Sequence, residues 1–150
     1  MSDYEFMMSL RIRHPDIDPA VITRALGIEP QHTWSVGDQR RDSMGADLVG
    51  AHRESYWMGR LMMQPELARD RVDVESEILR TIGTLRRSFD FLERLKNEGG
   101  SAELHITLYA REDFRLEFLA ESLSLLGRMG LSIALDVKPN PQVSSDVALN

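Results

Sequence analysis

The chain contains no cysteine and only two lysines, Lys96 and Lys138, in 150 residues. Without a thiol there is no disulfide framework, no thiolate nucleophile and no cysteine-based zinc site, a composition that fits a reducing cytoplasm. Uninterrupted apolar stretches of membrane-spanning length are also missing, and the opening MSDYEFMMSL carries acidic residues where a signal peptide carries basic ones. The expectation is a soluble, cytoplasmic protein with no membrane partner. Net positive charge is lacking too: the formal charge is −6 and the pI near 5.2. Affinity for nucleic acid comes largely from neutralising phosphates, so no nucleic-acid partner is expected.

Catalytic signatures are equally scarce. The sequence has no GxSxG, no GxxxxGK[ST], no GxGxxG and no SxxK. The common local marks of an activated serine, a phosphate cradle and a dinucleotide site are therefore absent. The four histidines, His14, His32, His52 and His105, sit in different segments with no HxH or HExxH spacing. A metal would need them to converge through the fold, and neither a metal nor any other cofactor is expected. The plainer reading makes His14 a strand-end residue before Pro15 and His105 a solvated position on the outer face of its strand. No catalytic residue can be assigned. The acidic pairs Glu75 with Glu77 and Asp90 with Glu93 read as the solvated face of an amphipathic helix.

What is present is clear periodicity. Phe6, Met8, Leu10 and Ile12 alternate with Met7, Ser9, Arg11 and Arg13, the pattern of a half-buried strand. Asp18 is a good N-cap and Pro19 suits the first helical position. Ile22, Ala25 and Leu26 share a face, and Gly27 with Ile28 reads as a glycine stop with an apolar anchor. His32 to Val36 reads as a short strand, Gly37 to Ser55 as a long polar loop, and Tyr56 to Met63 as a third strand. From Asp73, apolar residues at threes and fours describe one long helix, or two broken near Ser88. Ala102 to Tyr109 alternates as a strand, Leu116 to Leu126 as a helix ending at Gly130, and Leu131 to Val137 as a last strand.

The order β-α-β-β-α-β-α-β predicts an α/β (α+β) two-layer sandwich. Its expected topology is a ferredoxin-like β-α-β-β-α-β core with an appended α-β unit. The length matches one domain, over 1–137, and the proline-bearing KPNPQVSSDVALN of 138–150 reads as a flexible C-terminal tail.

Ile22, Thr23, Leu26, Gly27, Ile28, Pro30, Trp34, Gly37, Asp38, Tyr56 and Trp57 together carry a family pattern: an Ile-Thr…Leu-Gly-Ile…Pro helix, a Trp…Gly element and a Trp-bearing strand. In this the chain resembles a bacterial family known as domain of unknown function 4279, and the resemblance runs to about Val137. The family carries no known activity, so the resemblance implies an architecture and no catalytic residues.

The best local candidate for function is the polar segment between Gly37 and Ser55, since long polar connections inside a compact domain concentrate binding residues. The expected ligand-binding residues are Trp34, Asp38, Arg40, Arg41, His52, Tyr56 and Trp57. Arginine forks suit carboxylate or phosphate recognition, and an aromatic ring supplies a flat wall. The plainer reading of the same residues is packing aromatics beside a strand crossing. A second candidate is the sheet face left without helices, where Met7 and the methionines of the third strand would suit a protein partner or a homodimer, as would an exposed strand edge. The leading reading is a non-enzymatic interaction or small-ligand module for an anionic ligand. The alternative is a small hydrolase or lyase acting on an anionic metabolite, with His52 or His32 as acid or base and Arg40 or Arg41 as charge clamp.

Overall fold

A computed structural model describes residues 4–61, 66–67 and 73–139. Strand β1 (Tyr4–His14) is central and alternates as its sequence demands: Phe6, Met8, Leu10 and Ile12 are buried while Met7, Ser9 and Arg11 are half-exposed. Helix α1 (Pro19–Leu26) begins where the Asp18 carboxylate accepts from the Ala20 N–H at 3.0 Å. It ends at Gly27, whose φ of 68° is left-handed and whose N–H reaches Thr23 O. Short β2 (His32–Trp34) leads to the hairpin of β3 (Gln39–Arg41) and β4 (Asp47–Ala51), and β5 (Ser55–Arg60) and β6 (Glu66–Leu67) follow. Helix α2 (Val74–Leu85) is capped by Asp73, which accepts from the Ser76 N–H at 2.7 Å. A 3-10 turn at Arg86–Ser88 separates it from α3 (Phe89–Asn97), which places the break at the position expected near Ser88. Strand β7 (Ser101–Ala110), helix α4 (Ala120–Arg128) and β8 (Leu131–Pro139) complete the described residues.

The fold is mixed α+β. The main sheet runs β2-β5-β1-β7-β8, with β6 also on β1; every neighbouring pair is antiparallel except β7 and β8, which are parallel. One face of this sheet shares a single hydrophobic core with the helices: Leu10, Ile12, Trp57, Leu104 and Ile106 meet Ile22, Ile78, Leu85, Leu95 and Leu126. On β7, Leu104, Ile106 and Leu108 are buried while Glu103, His105 and Thr107 are more accessible, though only partly exposed, in the alternation predicted.

Several elements differ from the sequence expectation. The polar segment 37–55 is not a plain loop: β3 and β4 form a separate two-stranded sheet. The Asp42 carboxylate closes its turn by accepting from the N–H groups of Met44 and Ala46, both at 2.9 Å. Both strands are exposed throughout, so no buried face imprinted a period of two on the sequence. Helix α4 starts at Ala120 rather than Leu116, because Leu119 is extended (φ −67°, ψ 145°) and Phe114, Leu116 and Phe118 pack on the core from non-helical backbone. Strand β8 continues to Pro139, so Lys138 and Pro139 belong to the sheet; the rest of the expected tail, 140–150, lies outside the described residues. The third strand ends at Arg60, and the remainder of its expected length past Leu61 also lies outside them.

Candidate functional site

The register explains which side chains gather on the outer sheet face. Trp34 pairs with Tyr56 and Tyr56 with Arg13, so these three form one row across β2, β5 and β1. The Trp34 ring stacks on Tyr56 at 4.4 Å between centroids and 22° between planes, and Arg13 lies 5.2 Å over the Tyr56 ring. On its other face Trp34 stacks on His52, at 4.0 Å and 15°. The Trp34 indole N–H donates to Glu54 O at 3.1 Å, and Arg13 bonds the Glu54 carboxylate at 3.2 Å. His52, Trp34, Tyr56 and Arg13 thus form a continuous stacked ladder.

Backbone bonds tie the hairpin to this ladder. Gly37 N donates to His52 O and His52 N to Asp38 O, each at 2.8 Å. Gly37 takes a φ of 89°, a left-handed conformation that a side chain would strain. The Asp38 carboxylate accepts from the Ser35 N–H at 2.8 Å, and the buried Ser55 hydroxyl accepts from Val36 N at 3.1 Å. Asp38 therefore shapes a turn.

Between the hairpin and β2 lies an open groove of about 840 Å³, whose lining includes His32, Trp34 and His52, the arginines Arg40 and Arg41, and the acidic Asp38 and Asp42. Both arginines are exposed: Arg40 donates to Val49 O at 3.2 Å, and Arg41 lies 3.6 Å from Asp47. The structure thus brings Trp34, Asp38, Arg40, Arg41 and His52 around one groove, with Tyr56 behind Trp34. Trp57 stands apart. It points to the opposite face, is fully buried, and donates from its indole N–H to Thr23 Oγ1 at 3.0 Å. Strand parity separates neighbours Tyr56 and Trp57, and only the first can belong to this surface.

Arg13 and Glu54 join the cluster without having been anticipated, and His32, expected only as an acid or base in the enzyme alternative, joins it as well. His32 meets Trp34 edge-on at 6.2 Å, so two of the four histidines converge on one tryptophan. The cross-strand pairing of β1, β5 and β2 was the available signal, because it sets Arg13 in the Trp34 row. Stacking also changes the role of the ring itself: with both faces covered, Trp34 offers a ligand its edge rather than a flat wall.

A family model for a domain of unknown function, DUF4279, matches residues 4–140. The chain belongs to that family. No curated protein and no solved structure matches this DUF4279 chain. No helix among its described residues is long and apolar enough to cross a membrane.

The other two histidines of the DUF4279 chain serve elsewhere. His14 is buried; its Nδ1 accepts from Asp16 N at 3.1 Å and Ile17 N at 2.9 Å, and its Nε2 donates to Glu98 at 2.9 Å. The Arg94 guanidinium, then His14, hold the Glu98 carboxyl below its ordinary range. His105 is not solvated as expected: its side chain is 11% exposed and bonded to Asp136 at 2.5 Å. That bond lowers the Asp136 pKa. Both pairs join elements, and neither borders the groove.

Proposed function

We propose that this DUF4279 domain is a non-catalytic binding module that receives an anionic group in the groove between the β3–β4 hairpin and β2. The observation that carries the reading is the ladder of His52, Trp34 and Tyr56, which fixes the hairpin root while Arg40 and Arg41 line the open groove above it. Preorganised cations on a rigid frame lower the ordering cost of binding an anion. The His52 ring is held by stacking and makes no ion pair among the described residues, which favours binding over hydrolase or lyase chemistry, where a base needs an orienting partner. A thermal-shift screen of anionic metabolites against wild type, Arg40→Ala and Arg41→Ala tests it. A true ligand stabilises wild type and loses about 1.5–3 kcal/mol of binding in either variant, the value of a charge-assisted hydrogen bond. Equal shifts in all three proteins would place the binding energy elsewhere.

We read β1-α1-β2, β5-α2/α3-β7 as a ferredoxin-like sandwich extended by α4 and β8, a reading supported by the strand order and by the antiparallel pairing through β7.

A second reading concerns assembly. Leu135 and Val137 are 42% and 60% exposed on β8, whose one sheet neighbour among the described residues is β7. A long apolar edge of this kind favours a homodimer formed along β8.

A further inference from the structure

On the helical side of the molecule, far in sequence from the hairpin, α2 and α4 enclose a second depression of about 540 Å³. Its floor is apolar, built from Ile82, Phe89, Leu125 and Met129, with the half-exposed Leu79 on one wall. Two arginines, Arg86 and Arg128, complete the lining, and among the described residues no acidic one contributes to it. In a chain with 24 acidic residues and a net charge of −6, a concavity with two cations and no carboxylate is a local reversal of sign. Arg128 makes a long bond of 3.4 Å to the Ser124 hydroxyl, and Arg86 makes no side-chain hydrogen bond or ion pair among the described residues.

A helix-dipole role accounts for part of this. Arg86 caps α2 and Arg128 lies in the last turn of α4, where cations are favoured. That role explains where the charges sit along each helix. It does not explain why both border one apolar hollow, or why α2 carries Gly83 there. Gly83 is a helical residue with open space around the position of a Cβ, so it keeps the depression clear at a cost in helix propensity.

We propose that this depression is a binding site for a small amphipathic carboxylate, a molecule with an apolar chain or ring and one carboxyl group. The apolar body rests on Ile82, Phe89, Leu125 and Met129, and the carboxylate lies at the rim between Arg86 and Arg128. The volume falls within the range of small-molecule clefts. A carboxylate is the group that a pair of guanidinium forks binds with directional hydrogen bonds. Independence from the hairpin groove is built in, since the two sites share no lining residue among the described ones.

The test uses 4-phenylbutyrate as probe and the neutral 4-phenylbutan-1-ol as its control, titrated by calorimetry into the full chain. The carboxylate should bind about tenfold more tightly than the alcohol at low salt, and Arg86→Gln or Arg128→Gln should erase that preference. Gly83→Leu should abolish binding of both compounds while raising the thermal midpoint, because it fills the hollow and improves the helix. The raised midpoint establishes that loss of binding is not loss of fold. Equal affinity for acid and alcohol, binding that survives Gly83→Leu, or no saturable binding at millimolar probe would each overturn the proposal.

Discussion

At the scale of single residues, two glycines and a tryptophan show where the core tolerates no change. A Cβ on Gly100 would lie 2.8 Å from Leu95 O and 2.9 Å from Arg13 O, so backbone from α3 and β1 closes on it from two sides. Gly100→Ala should cost at least the ~1–3 kcal/mol of ordinary overpacking, measured by urea denaturation, because neither carbonyl belongs to a movable side chain. Gly59 is different in kind: a Cβ there would meet the Trp57 ring at 2.5 Å, so this glycine is the seat of the indole. Trp57→Ala should destabilise by about 3–5 kcal/mol, whereas Arg40→Ala, at an exposed site, should leave unfolding within about 0.5 kcal/mol of wild type. A large loss in the Arg40 variant would mean that the hairpin arginine is structural. The sequence offered both tryptophans as equal candidates. Only the strand register tells them apart, and register depends on which partner strand lies alongside, which no single segment encodes.

The elements were legible to the extent that they carry a buried stripe. Strand β1, helix α1 and strand β7 all show their period because each has one face in the core. The hairpin β3–β4 has none, and the start of α4 was blurred because Leu116 and Leu119 continue the apolar spacing outside the helix while Leu123 within it is exposed. Two joints between elements carry carboxyl groups with lowered pKa, and these should contribute to acid sensitivity. Glu98 links the end of α3 to the β1–α1 turn through His14, and Asp136 links β8 to β7 through His105. Both carboxyl groups are held below their ordinary values of 4.5 and 3.8, so they bind protons less readily in the folded chain than in the unfolded one. Their contribution is therefore present above the unfolded pKa and lost as pH falls through the folded value. Thermal midpoints should drop more steeply in wild type than in Glu98→Gln as pH is lowered below the ordinary value of 4.5. Parallel curves for the two proteins would remove Glu98 from the acid response.

For the molecule as a whole, the surface to account for is the edge that β8 forms in the main sheet among the described residues. Strand β8 pairs with β7 from Leu131 to Pro139, and its core-side residues Leu135 and Val137 sit opposite Ile106 and Leu108. Those β7 partners are buried, yet Leu135 and Val137 are not, because α4 covers only the start of the strand, where Leu131 is buried. Natural edges are guarded by proline, inward charge or short length. Here the strand runs nine residues with its proline at the last position and no charge on the core side. An antiparallel two-fold pairing centred on Leu135 would set Ile133 against the second copy's Val137 and extend the sheet through both subunits. It would bury the two exposed side chains and satisfy the outward backbone groups together. Sedimentation at micromolar concentration should show a dimer that becomes monomeric with Val137→Lys and is unaffected by Met7→Glu, since Met7 lies on the outer face. A monomeric wild type would refute self-association. A dimer lost with Met7→Glu but kept with Val137→Lys would move the contact from the strand edge to the outer sheet face, beside the Trp34 ladder, and the groove would then lie next to a subunit boundary.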